Sequence, residues 1–158
     1  MHATSSFSVE RLLRDEYALW FSNYAQWTHA VTVTFQRHAN GKSPAKSRTI
    51  SSTAHFINVL NRKLLGRKKG PQGRKMACAA VWGAGAYEDN PHVHLALQAP
   101  LNRSYEEVAL AVTHAVKVTK TLGDKFDIQP FTSEGWFNYM FDHGTEGLLV
   151  ELISPAKH

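Results

Sequence analysis

The sequence predicts an α+β fold, in which helices pack mainly on one face of a central antiparallel sheet of about five strands. Residues 30–37 and 92–98 alternate in polarity with the period of half-buried strands. Residues 52–65 and 105–122 instead repeat apolar residues at helical spacing. The predicted order, strand–helix–strand–strand–helix–strand, is typical of a ferredoxin-like or RRM-like sheet.

The first half of the chain is predicted to contain a helix, a strand, a loop and a core helix. Ser8 suits the N-cap of a helix over residues 9–24. Residues 30–37 place Val and Phe on one face and Thr on the other, as a strand does. Residues 38–49 are rich in Gly, Pro, Ser and Lys, which is typical of a loop, and the helix over 52–65 follows.

The second half is predicted to add a hairpin, a helix, two strands and a short C-terminal helix. The hairpin comprises residues 75–84 and 92–98, and the next strand covers 126–131. A short helix is expected to run from Thr132 or Ser133 to about His143, before a last strand over residues 148–153. Because no repeat or boundary interrupts these elements, residues 1–158 are predicted to form one domain.

Composition narrows the class of protein. The apolar fraction is 43%, charged residues make up 20%, and no apolar run has the length of a membrane helix. No secretion signal is evident, and the single cysteine, Cys78, is expected to be a buried free thiol. A cytoplasmic, monomeric protein with no membrane partner is therefore expected.

The positive charge is concentrated in one part of the chain. There are 18 Lys and Arg against 13 Asp and Glu, and ten of the basic residues fall within positions 42–75, which contain no acid. Such a segment can attract a phosphate backbone, although solvated helix ends and loops are often basic too. Residues 70–75 lack the P-loop pattern, so no helicase domain is predicted.

Two histidines in residues 91–97 form the most informative motif. Because side chains alternate along a strand, His92, His94 and Ala96 share one face, with apolar residues on the other. That geometry suits two ligands of one metal ion. A strand face that carries two solvated imidazoles is the simpler interpretation.

The late helix offers a candidate nucleophile. Tyr139 and His143 are one helical turn apart, whereas Phe137 and Phe141 share a different stripe that is expected to anchor the helix. A tyrosine beside a metal site suggests covalent catalysis by its phenolate. The simpler interpretations are a core tyrosine bonded to backbone and a histidine that stabilises the helix end.

Three segments together resemble the motifs of HUH endonucleases, and most of all the replication initiator (Rep) proteins of rolling-circle plasmids, phages and small DNA viruses. They are Val31-Thr32-Val33-Thr34-Phe35, Pro91-His92-Val93-His94 and Trp136-x-x-Tyr139. The resemblance implies a nickase that cuts and rejoins single-stranded DNA at an origin hairpin. It also implies Tyr139 as the nucleophile, a phosphotyrosine intermediate, a Mn²⁺ or Mg²⁺ cofactor, and a possible host helicase as partner.

The chain departs from the family pattern at two places. Asp142 stands where many single-tyrosine Rep proteins carry a lysine, and residues 81–85 offer no acidic metal ligand. By analogy with single-tyrosine transposases, His143 is favoured as the third ligand, with Glu88 or Asp89 as the fallback. An all-histidine set favours Mn²⁺ over Mg²⁺.

A set of basic and hydroxyl residues is predicted to contact DNA. The basic members extend from the end of the second helix to the start of the hairpin, and the hydroxyl members lie on the first strand. The set comprises Arg62, Lys63, Arg67, Lys68, Lys69, Arg74, Lys75, Thr32 and Thr34.

Three other functions remain compatible with the sequence. A single-tyrosine transposase or relaxase would use the same fold, and a transposase of this kind would be a tight dimer. A non-catalytic nucleic-acid-binding module would keep the sheet and form no covalent adduct. A phosphodiesterase that uses water as the nucleophile would leave no bond between protein and DNA.

Overall fold

Four antiparallel strands form the sheet at the centre of the fold, in the spatial order β2-β3-β1-β4. The computed structural model describes residues 3–36, 45–66, 75–83, 91–132, 135–141 and 147–155. The strands are β1 His29–Phe35, β2 Cys78–Gly83, β3 His92–Leu97 and β4 Leu122–Pro130. The helices are α1 Ala3–Tyr24, α2 Lys46–Leu65, α3 Tyr105–Val118 and α4 Gly135–Met140.

The α+β class and the order of the central elements agree with the sequence prediction, but several helix bounds differ. Ser8 lies inside α1 and does not cap it. Helix α2 begins at Lys46, within the predicted loop, where the Thr49 amide donates to the Ala45 carbonyl. Helix α3 is capped by the Ser104 hydroxyl, as polar caps usually are, and ends at Val118.

The predicted fifth strand is wrong within the described residues. The segment forms a one-turn 3-10 helix, Val150–Leu152, flanked by isolated bridges that Leu148 and Ser154 make with β2. Leu149 and Leu152 are the buried residues of this segment, and they are three positions apart. A strand would send these two side chains to opposite faces, whereas a 3-10 turn places both on the core.

Helices cover both faces of the sheet, so the prediction that they pack mainly on one face is also wrong. Helices α2 and α3 pack on the face that carries Val93 and Leu95. On the other face, Phe21 of α1 and Phe137 of α4 belong to a second core cluster, together with Ala79 and Val81 of β2 and Ala96 of β3. The buried residues of β2 are all non-polar, as expected of a strand that is covered on both faces.

Composition also led to expectations about the burial of Cys78 and about membrane-spanning helices. Cys78 is a free cysteine and is fully buried in β2, as predicted, and burial raises the pKa of its thiol to about 12. Among the described helices, none combines the length and the apolar character that a membrane crossing requires.

Candidate metal and tyrosine site

Strands β1 and β3 bring the threonines and the histidines together on one face of the sheet. In the antiparallel register Thr32 is opposite His94, and Thr34 is opposite His92. The predicted alternation along β3 is confirmed, because Val93, Leu95 and Leu97 lie in the α2/α3 core and Ala96 lies with the opposite layer. The sequence predicted that this opposite face would be open. It is instead partly covered by α1 and α4.

His94 is buried, with 4% of its surface exposed, and its ring is held from both sides. Its Nδ1 lies 2.9 Å from the Thr32 hydroxyl oxygen. When Nδ1–H donates to this hydroxyl, the neutral ring keeps a lone pair on Nε2, the atom that faces His92. Because the Thr32 hydroxyl can equally donate to a bare Nδ1, the contact orients the His94 ring and fits either tautomer.

The two Nε2 atoms of His92 and His94 lie 3.1 Å apart. Two nitrogens that bind one metal ion at about 2.1 Å are about 3.0 Å apart at a right angle and about 3.4 Å apart at a tetrahedral angle. The observed spacing falls within that range. The same distance suits a hydrogen bond between one protonated and one bare nitrogen, so the pair can hold either a proton or a metal ion.

Gly83 makes room for the imidazole of His92. The two residues are opposite each other on β2 and β3. A Cβ atom at position 83 would contact His92 Nε2 directly and would stand 3.0 Å from both ring carbons next to it. Glycine at this position thus allows the ring to lie across β2 toward His94.

Helix α4 presents Tyr139 at the edge of this pair. Phe137 and Met140 are buried against the sheet, as is Phe141 just after the helix, and Phe137 stacks on Phe21 of α1 at 5.4 Å. With that stripe anchored, Tyr139 is 54% exposed, and its ring centroid is 5.0 Å from that of His94. The expected juxtaposition of a solvent-accessible tyrosine and the histidine pair is present.

Trp136 completes an aromatic cluster around His94. Its ring is 5.6 Å from the His94 ring, which it meets edge to face, and 5.2 Å from the Tyr139 ring. The indole Nε1 is buried and has no hydrogen-bond partner among the described residues. Trp136 therefore limits the solvent around His94, a role beyond the packing that the sequence suggested.

Tyr139 differs from the other tyrosines that the structure describes. The Tyr105 hydroxyl donates to the Ile128 carbonyl, while Tyr17 and Tyr24 take part in ring stacks of the α1 layer. None of these three has a ring contact with the histidine pair. Tyr87 lies outside the described residues.

The candidates for a third metal ligand all lie outside the part of the chain that the structure describes. His143, Glu88, Asp89 and Asp142 all lie outside the described residues, and no group of three His, Cys, Asp or Glu capable of holding a metal occurs within them. One carboxylate was overlooked by the sequence interpretation. Asp127 on β4 is opposite Thr32, is exposed, and accepts a 2.7 Å hydrogen bond from Gln129.

The residues predicted to contact DNA are divided between the two sides of the sheet. Thr32 and Thr34 lie on the histidine face, and the Thr34 hydroxyl donates to the Lys125 carbonyl at 2.6 Å. Arg62 and Lys63 are exposed near the end of α2, in the layer on the other side of the sheet.

Of the remaining basic residues that were predicted to contact DNA, the structure describes Lys75 alone. Lys75 is exposed just before β2, and the other four basic residues lie outside the described residues. These four are Arg67, Lys68, Lys69 and Arg74. The two described basic residues of α2 thus do not line the histidine site.

Comparisons of this chain with protein-family models, with curated proteins and with solved structures found no match.

Proposed function

We propose that this chain is a metal-dependent, HUH-type endonuclease that nicks and rejoins single-stranded DNA through a 5′-phosphotyrosine intermediate, as rolling-circle replication initiators do. One observation carries the proposal. The Nε2 atoms of His92 and His94 lie 3.1 Å apart, and the ring centroid of the exposed Tyr139 lies 5.0 Å from that of His94.

The fold is compatible with the proposal. The spatial order β2-β3-β1-β4, with antiparallel neighbours throughout, supports a ferredoxin-like sheet. On such a sheet the two inner strands are β1 and β3, which carry the threonine and histidine motifs. Strand β3, which carries the candidate ligands His92 and His94, therefore has a hydrogen-bonded neighbour on each side, and the sheet fixes the spacing of the two residues.

The donor set fits a divalent cation. His92 and His94 would hold Mn²⁺ or Mg²⁺, and His143 is the proposed third ligand, with Glu88 as the fallback. The Thr32 hydroxyl supports this role, because it orients His94 and, when it accepts from Nδ1–H, leaves the lone pair on Nε2. When bound, the ion supplies charge that polarises the scissile phosphate.

Tyr139 would act on the phosphate from its exposed position. Its phenolic oxygen forms a bond to phosphorus, the bond from phosphorus to the 3′ oxygen breaks, and a 3′-hydroxyl leaves. The reverse reaction, with a 3′-hydroxyl as the attacking group, releases the tyrosine and rejoins the strand. The Trp136 ring beside Tyr139 is suited to contact a base, because aromatic faces stack on unpaired bases.

A non-catalytic single-strand-binding module is the second candidate. The adjacent Trp136 and Tyr139 rings favour it, because such a pair binds bases without any metal. The acidic Asp142 also stands where Rep proteins carry a lysine. A transposase or relaxase on the same fold would share the covalent chemistry and would differ in its DNA substrate and, for the transposase, in a dimeric state.

The proposal is tested by a search for a covalent adduct. The protein is incubated with Mn²⁺ and a pool of single-stranded oligonucleotides, and the products are separated on a denaturing gel. We expect a protein–DNA adduct that is absent with EDTA and with Tyr139→Phe. Tyr105→Phe, which removes the hydroxyl of another exposed tyrosine, is the matched control and is expected to retain the adduct.

The other outcomes separate the alternatives. Metal-dependent cleavage with no adduct would assign the reaction to a water nucleophile. Binding of the pool with neither cleavage nor adduct, repeated with hairpin substrates, would replace the nickase by the binding module.

A further inference from the structure

A cationic groove runs along the outer surface of the α2/α3 layer, on the side of the sheet away from the histidine site. Its volume is about 430 Å³, and it is lined by His55, Val59, Arg62, Lys63, His114 and Val118. The four nitrogen-bearing side chains are exposed, whereas Phe56 and Leu60 on the inner face of α2 pack in the core. The groove is thus a surface feature and does not belong to the site of the proposed nickase.

The groove follows from the helical spacing of its residues. His55, Val59 and Arg62 are four and three positions apart, and His114 and Val118 are four apart, so each set lies on one stripe of its helix. The helices are antiparallel, because Arg103 before α3 donates to the Leu64 carbonyl at the end of α2, while Thr121 after α3 donates to Ser52. The two stripes consequently face the same cleft.

The charged residues that line the groove, Arg62 and Lys63, are both positive. None of its lining residues is acidic, and the whole chain from Tyr17 to Tyr87 contains eleven Lys and Arg and no Asp or Glu. On α3, the acidic residues are Glu106 and Glu107 in the first turn, and Glu107 pairs with Arg103 at 3.5 Å. No carboxylate of the described helices α2 and α3 therefore neutralises the groove from within its lining.

We propose that this groove binds the phosphodiester backbone of a nucleic acid, as a second contact that is independent of the histidine site. Arg62 and Lys63 supply the charge, and His55 and His114 add ring N–H donors for phosphate oxygens. The α2 stripe from His55 to Arg62 is about 10 Å long, which is sufficient for more than one phosphate.

The binding does not require a divalent metal, since cationic side chains make the contact. It also does not rest on the proposed nuclease, because neither His92, His94 nor Tyr139 takes part. A failure of one proposal thus leaves the other intact.

The test measures binding of the full chain to a labelled duplex of about 20 base pairs by fluorescence anisotropy, in EDTA, between about 50 and 200 mM salt. We expect Arg62→Gln with Lys63→Gln to raise the Kd at least about fivefold and to lower the slope of log K against log salt by about two. The matched control is Arg11→Gln with Lys125→Gln, which removes the same charge from exposed positions that do not line the groove. The control is expected to shift the Kd by less than about twofold.

Two results would overturn the proposal. One is an equal loss of affinity in the groove variant and in the control, which would show that only net charge matters. The other is competition by polyglutamate that equals competition by unlabelled DNA at matched charge and salt, which would assign the groove to an acidic protein. His114→Gln alone, which leaves the net formal charge unchanged, is expected to weaken binding about twofold and serves as a second variant.

Discussion

The two faces of the central sheet are built from alternate residues of the same strands, yet the side chains on each face have different surroundings. On β3, Val93 and Leu95 are fully buried in the α2/α3 layer, where the described core residues are nearly all aliphatic or aromatic. His94, between them in sequence, is almost as buried on the other face and is surrounded by a hydroxyl, a second imidazole and two aromatic rings.

Under the proposed function, one strand serves stability on one face and chemistry on the other. Burial of apolar side chains provides the main favourable free energy of folding, and the Leu95 face contributes it. A buried imidazole costs free energy unless its nitrogens are paired, and the Thr32 contact offsets that cost. We therefore expect changes on the first face to alter stability and changes on the second face to alter ligand binding.

The largest effect is expected from Leu95→Ala. The fully buried side chain leaves a cavity in the α2/α3 core, and the free energy of unfolding should fall by about 2–5 kcal/mol. Urea denaturation followed by circular dichroism measures the change. A loss below about 1 kcal/mol would show that this face is not the main source of stability.

A smaller effect, on metal binding, is expected from Thr32→Val. The valine keeps the β-branched shape and removes the hydroxyl that contacts His94 Nδ1. The affinity for Mn²⁺, measured by isothermal titration calorimetry, should fall about 10–100-fold. Thr32→Ser keeps the hydroxyl and should bind Mn²⁺ nearly as tightly as the wild type. Equal losses in the two variants would contradict the role of the hydroxyl in orienting His94.

Gly83→Ala is expected to weaken Mn²⁺ binding by about tenfold, because the new methyl group displaces the His92 ring and separates the two Nε2 atoms. Gly123→Ala is the matched control. It crowds the Thr34 hydroxyl on the same face and leaves the histidines untouched. Similar metal affinities for the two variants would argue against a shared ion at the histidine pair.

The smallest effect concerns His29, whose ring stacks on Tyr105 at 5.6 Å. Burial lowers the pKa of His29, so the folded state binds a proton less readily than the unfolded chain does. The stability that His29 contributes is therefore complete above its ordinary pKa of about 6.5 and is lost as the pH falls below that value. Urea denaturation at a series of pH values should show a smaller loss on acidification for His29→Gln than for the wild type, and parallel curves would refute the assignment.

Much of the histidine face could be predicted from the sequence, because it depends on a period of two. Alternation placed His92 and His94 on one face, and helical spacing placed Phe137 inward and Tyr139 outward. The coverage of both faces was missed because the small side chains of β2, such as Ala79, were not recognised as a second packing surface for α1 and α4. Gly83 and Asp127 could not be found, because their proximity to the site depends on the strand register, which residue patterns alone do not give.

The most direct test of the central claim is to identify the residue that carries DNA. The adduct formed with Mn²⁺ is treated with nuclease and protease, and the nucleotide-bearing peptide is sequenced by mass spectrometry. The account predicts a nucleotide phosphate on Tyr139 and on no other residue. A phosphate on Tyr105, Tyr87 or any other side chain would contradict it.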